Sequence, residues 1–304
     1  MAEEARETLY HYCSLDTFYN IMENRSIWLS DISKSNDAEE IVFMTKKCRE
    51  EIKKRFRPSA DEDAEKIESI KKTDRLLSQF SENDYLKCWA MCFSEKADDL
   101  GQWRGYADDG RGVCIGFKGA MLERIAESGE PPADITDVFL RKVEYGERAC
   151  NDSIKNTLSS IFEWSCDQKE MPQKVRDAVL SLVRMAPLYK KLAFKEEEEW
   201  RLGILTLTEK SLAPTFALRN IEHRKMAGGA VTMKNYGFTP KNNTLVSHIE
   251  LVFSNLRDAI DTVIIGPKSG LSKLDVQLFL ISLGLLDDLE DTSIAVIPSE
   301  ASYR

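Results

Sequence analysis

Phe194-Lys195-Glu196-Glu197-Glu198-Glu199-Trp200-Arg201 sets four consecutive acids directly ahead of the apolar run Leu202-Gly203-Ile204-Leu205-Thr206-Leu207. A charged helix end running into residues of high β-propensity marks a helix-to-strand junction. Period-two geometry along the new strand places Glu197, Glu199 and Arg201 on one face, with Glu198 and Trp200 on the other. Two carboxylates on one face can divide a reaction between them: one stabilises a developing positive charge while its neighbour orients or deprotonates the attacking group. An acidic, solvated helix end would read the same way.

Working outward, strands and helices are mixed in one chain, which gives an α+β class. Leu9 to Cys13 reads as a strand, and Ser14 as the N-cap of a helix carrying Leu15, Phe18, Tyr19 and Met22 on one face. Ile27 to Leu29 follows as a second strand. Residues 37–82 read as a charged helical insert with apolar residues at helical spacing, broken at Pro58. Beyond it, Lys87 to Ser94 and Val113 to Phe117 read as strands with a short helix over Gly101 to Ala107. Val138 to Tyr145 follows as one strand, with helices over Ser153 to Cys166 and Gln173 to Leu192. Strands at Trp200 to Leu207, Leu245 to Phe253, Val263 to Ile265 and Ser293 to Ile297, with a helix over Leu274 to Leu283, complete a single domain of residues 1–304.

Composition narrows the function classes. The chain has 304 residues, 42% hydrophobic and 31% charged, with a formal net charge of -9. That balance disfavours a wholly basic nucleic-acid binder, although Lys46 to Arg57 holds seven basic and two acidic residues and a looser basic stretch runs from Arg219 to Lys241. Seven scattered cysteines suit a reducing compartment, and the acids in Met1 to Glu7 do not suit a secretory leader, so a cytoplasmic protein without membrane contact is expected. Three histidines, at 11, 223 and 248, and a lone C-x3-C at Cys88 and Cys92 leave no metal motif, so no metal is expected. The pairs Asp98-Asp99, Asp108-Asp109 and Asp287-Asp288 read as loop or capping residues rather than a nuclease cluster. His11 between two tyrosines is a second candidate, able to donate to a ribose or an amide. Trp103 and Tyr106 on one helical face could stack on a flat ring, as could two core aromatics at the same spacing.

The segments LYHYCSLDTFYNIMENRSIWLS, NDAEE, CFSEKADDLGQWRGYADDGRGVCIGF, FKEEEEWRL, IIGPKSG and SEASYR, in that order, resemble a family of bacterial proteins often encoded near anti-phage genes. Two positions depart from its pattern: Ala38 stands where a Pro is usual, and His11 where Lys or Arg is usual. The layout also resembles the ADP-ribosyltransferase superfamily, with His11, Trp28, Ser94 and the Glu197-x-Glu199 pair in its order. That resemblance implies a split mixed sheet with helical insertions and NAD as the substrate. It implies Glu199 as the catalytic acid, Glu197 as the group positioning the acceptor, and His11, Tyr12, Ser94, Trp103 and Tyr106 around the cofactor. It also requires His11 and Glu199 to line one cleft. The implied acceptor is nucleic acid or a host protein, and an antitoxin or neighbouring defence protein is the implied regulator. The competing reading is a non-catalytic sensor or adaptor of a defence system, binding a nucleotide or a phage component.

Overall fold

Ser14 ends one element and begins the next. Its extended backbone closes strand β1 (Leu9–Cys13), and its hydroxyl accepts from Thr17 N to cap helix α1 (Leu15–Asn24). Arg25 then takes a left-handed conformation, φ 50°, and turns the chain into β2 (Ser26–Asp31). The computed structural model describes residues 7–34, 40–55, 68, 71, 74–75, 86–128, 137–162, 181–182, 184–207, 224–241 and 243–303.

Within those residues the remaining helices are α2 (Glu40–Arg55), α3 (Leu100–Tyr106), α4 (Gly119–Ala126), α5 (Glu147–Phe162) and α6 (Lys273–Ser282). The remaining strands are β3 (Leu86–Ser94), β4 (Val113–Phe117), β5 (Asp137–Lys142), β6 (Glu144–Tyr145), β7 (Tyr189–Lys190), β8 (Glu199–Leu207), β9 (Arg224–Met226), β10 (Val231–Lys241), β11 (Thr244–Phe253), β12 (Ile260–Ile265) and β13 (Ala295–Pro298). The fold is mixed α+β, with eleven of the described strands in one large mixed sheet.

The register of β3 decides the shape of that sheet. Strand β8 pairs with β3 along its whole length, from Leu86↔Leu207 to Ser94↔Glu199, and so occupies one edge completely. Both β1 and β2 must therefore share the other edge. Tyr10 pairs with Ser94, while Ser30 and Asp31 pair with Ala90 and Trp89. Between those pairings lies Cys92, and there the sheet divides. One branch runs β1, β4, β12, β13, and the other runs β2, β11, β10, β9.

Both branches turn their apolar residues toward one large core. Trp89, Met91, Phe93, Leu202 and Ile204 of the stem meet Leu9, Ile115, Phe117 and Val263 of one branch and Ile27, Leu29, Ile249 and Leu251 of the other. On the opposite face of the stem, Cys88, Ala90, Phe139 and Leu205 pack under Met44, Cys48 and Ile52 of α2 and Ile154 of α5. Gly203 has no side chain because the Phe139 ring lies where its Cβ would be. A third cluster sits on this same face toward β1: Tyr12, Cys114, Ile264, Trp103 and Ala107.

Within the segment read as a helical insert, α2 is a helix in which Met44, Cys48 and Ile52 recur every fourth residue and are buried. Most of residues 56–85, including Pro58, lies outside the described residues. Val138 to Tyr145 is two strands rather than one: β5 joins β8, whereas β6 pairs parallel with β7 in a separate small sheet. The helix expected to reach Leu192 has ended by Pro187, which opens a 3₁₀ turn. The basic stretch after Arg219 is, from Arg224 onward, a strand pair, β9 and β10, rather than a solvated loop or helix. No helix among the described residues is long and apolar enough to cross a membrane.

Candidate functional site

The Glu-rich junction is built differently from a simple strand start. Residues 192–197 form a 3₁₀ turn, and Glu198 caps it in a left-handed conformation, φ 45°. The strand begins only at Glu199, so period two does not extend back to Glu197. Glu199 and Arg201 do share a face, as the alternation requires. Glu197 joins them through Lys190 of β7, whose Nζ lies 2.9 Å from Glu197 Oε2 and 2.7 Å from Glu199 Oε2.

This cluster is deeply buried and electrically balanced. Glu199 is 3% exposed and Arg201 1%. The Arg201 guanidinium grips the carboxylate with Nε at 2.7 Å from Oε1 and Nη2 at 3.2 Å from Oε2, and its Nη1 donates to the Pro187 carbonyl at 2.7 Å. Two carboxylates thus face two cations, the arrangement that makes such burial tolerable. Glu199 N donates to the Tyr145 hydroxyl at 2.9 Å, and Tyr106 of α3 donates to Glu197 Oε1 at 2.5 Å. Burial alone would raise the Glu199 pKa, but Arg201 and Lys190 outweigh it and hold the carboxyl at about 2.

The sign of the pH dependence follows. A carboxyl at about 2 in the folded chain, against 4.5 for the free side chain, gives stability that is present above pH 5 and lost as pH falls from about 5 toward 2. The group accounts for on the order of 3 kcal/mol of that loss. Urea unfolding measured between pH 7 and pH 3 checks this, with a fall in midpoint expected for the wild type and a clearly smaller one for Glu199→Gln.

Cys92 pairs with Arg201 across the strands, on the face that carries Glu199. Its side chain is exposed, yet burial among surrounding atoms, reinforced by Glu199, pushes the thiol well above its ordinary pKa. Cys92 lies where the two branches leave β3.

The sequence-derived candidates separate into those brought to this charge cluster and those spent on the fold. Tyr106, Glu197 and Glu199 meet there. Ser94 is on the correct face and adjacent to Glu199, but its hydroxyl donates to the Glu197 carbonyl at 2.8 Å and accepts from Lys96 N, so it fixes the junction. Tyr12 is buried, with its hydroxyl between the Lys96 carbonyl at 2.8 Å and Asp99 N at 2.9 Å. Trp103 is fully buried against Tyr12, ring centroids 4.9 Å apart, and cannot offer a face to a ligand.

His11 is a correction. Since Tyr10 pairs with Ser94, alternation puts Tyr10 on the Glu199 face and His11 on the reverse, where its ring meets Phe93 edge-on at 6.0 Å. His11 and Glu199 therefore do not line one cleft. The imidazole Nδ1 donates to the Cys92 carbonyl at 2.9 Å, supplying a partner at the point where the edge of β3 lies between the two branches. Burial lowers its pKa, which keeps the ring neutral at physiological pH.

Sequence reasoning missed Lys190 and Tyr145, and it read Asp98 as a loop or capping residue without its partners. Asp98 accepts from Trp103 Nε1, Ser299 Oγ, Glu300 N and Ala301 N, at 2.5, 2.6, 2.7 and 3.2 Å, and so straps the C-terminal residues across α3. Tyr303 adds a hydroxyl bond to Asp109 and a ring face under Lys268, 3.7 Å from its centroid. Removing residues 299–304 is expected to speed amide hydrogen exchange over residues 100–110 by roughly tenfold or more while leaving β3 and β8 protected. Exchange read by mass spectrometry checks it.

A family model described as "Protein of unknown function (DUF2971)" matches residues 102–202, one third of the chain. The matched stretch runs from α3 to β8 and contains Tyr106, Tyr145, Lys190, Glu197, Glu199 and Arg201. Comparison with curated proteins and with solved structures gave no match.

Proposed function

We propose that the chain is an ADP-ribosyltransferase-like enzyme that consumes NAD, with Glu199 and Glu197 as its acids. The observation that carries this reading is the convergence of both carboxylates, bridged by Lys190, beside the place where the sheet forks. As the bond between ribose C1′ and the nicotinamide nitrogen breaks, its electron pair leaves with nicotinamide and positive charge grows on the ribose. A carboxylate that stays ionised and cannot move is suited to stabilising that charge, because no reorganisation is needed at the moment of reaction. Glu199, gripped by Arg201 and Lys190, has those properties. Glu197 orients the acceptor together with Tyr106 and takes the acceptor's proton as its nucleophilic atom bonds C1′. Nucleic acid or a host protein is the proposed acceptor. His11 lies on the reverse face of the sheet, so the shared cleft that the resemblance requires is not met by that residue, and the reading rests on the carboxylate pair alone.

One observation favours a second reading. Both Glu199 oxygens already hold strong donors from Arg201 and Lys190, which equally suits a structural cluster under a non-catalytic nucleotide-binding site of a sensor or adaptor. Incubation with NAD labelled in its adenylate half, with and without cell extract, separates the two. The transferase reading expects label on a macromolecule in the presence of extract. Binding of NAD without label transfer in either case favours the sensor.

A further inference from the structure

Helices α1 and α6 meet where Phe18 and Tyr19 contact Phe279, and together they leave an apolar groove. It encloses about 280 Å³ and is lined by Leu15, Phe18, Tyr19, Leu271, Val276 and Phe279, with Asp16 and Asp275 at its rim. Phe18 and Val276 form the buried floor. Leu15 and Tyr19, one turn apart on α1, are 43% and 50% exposed, and on the outer side of α6 Leu274 and Leu278 repeat the same spacing at 50% and 51%. Tyr19 stacks on Phe279 with centroids 5.5 Å apart, so the groove wall is already ordered. Two parallel stripes of large apolar residues left in water are unusual for a surface that meets only solvent.

We infer that this groove docks an amphipathic helix of a partner protein whose apolar stripe is flanked by lysines or arginines. Exposed apolar residues one turn apart on both helices suit side-chain anchors of a partner helix. Charge selects the partner. The two charged lining residues are both acids, and the acidic run Asp287 to Asp291 meets α6 where Gln277 Nε2 donates to the Leu289 carbonyl; Arg257 pairs with Asp287 and Asp291 and leaves the run net negative. A second copy of this chain, itself at -9, would set acid against acid. A basic-flanked helix meets complementary potential on both sides of its apolar stripe.

Two synthetic helical peptides of about five turns test this, identical in a Leu/Phe stripe at i, i+4, i+7 and i+11, one flanked by lysines and the other by glutamates. Fluorescence anisotropy should show saturable binding of the lysine peptide, weakening as salt rises, and at least about tenfold weaker binding of the glutamate peptide. Leu15→Asp should lower affinity on the order of tenfold with the thermal midpoint unchanged, since an acid in the first turn of a helix is favourable. Should Leu15→Asp lower the midpoint, Tyr19→Ser reads the same contact. Equal binding of both peptides, no saturation up to about 1 mM, or indifference to both substitutions overturns the inference. So does concentration-dependent dimerisation that Leu15→Asp abolishes.

Discussion

Arg201→Met is expected to destabilise the chain by about 3–5 kcal/mol, the cost of leaving a buried charge without its partner. On the usual scale of 5–15 kcal/mol for a whole domain, that is close to unfolding. The reason lies in the geometry: Arg201 supplies two of the short contacts to Glu199 and one to the Pro187 carbonyl from a position 1% exposed. Lys190 alone would then face two carboxylates. Pairing Arg201→Met with Glu199→Met should restore a large part of the loss, because two apolar side chains replace an ion pair of similar volume. Urea unfolding of the two single variants and the double variant at pH 7 gives the coupling directly. Additive losses would mean that Arg201 and Glu199 do not depend on each other.

Glu199→Gln is expected to reduce NAD turnover by roughly 10²-fold or more while NAD affinity stays within a few-fold. The amide keeps the shape and loses the charge that faces the developing oxocarbenium ion. Glu198→Gln is the control. Glu198 caps the 3₁₀ turn with its side chain 43% exposed and 3.6 Å from Lys96, so an uncharged replacement should change stability by less than about 1 kcal/mol and leave turnover near wild type. Because Glu199→Gln also loosens a buried pair, rates are compared at a temperature where both variants remain folded. A common loss in both variants would place the acids in the scaffold rather than the chemistry.

What the sequence made legible depended on local signals. The Ser14 cap and the alternation in Trp200 to Leu207 are written in neighbouring residues, and each element appears where they indicate. Strand β10 was hidden because Gly237 and Pro240 interrupt its pattern and its pairing with β11 shifts register between Met233 and Tyr236. The Glu199 and Arg201 pairing followed from period two. Lys190 could not be found that way, since only the fold carries β7 to the start of β8. His11 failed for a related reason: its face depends on which residue of β1 meets Ser94, and register is a tertiary property that a strand's own letters do not contain.

The most direct measurement is the release of nicotinamide from NAD by the purified chain, followed by chromatography against an enzyme-free blank, with cell extract present to supply acceptor. The account predicts nicotinamide above the blank, retained by Glu198→Gln and falling by roughly 10²-fold in folded Glu199→Gln. No nicotinamide above the blank, or equal release by Glu199→Gln and the wild type, would contradict it.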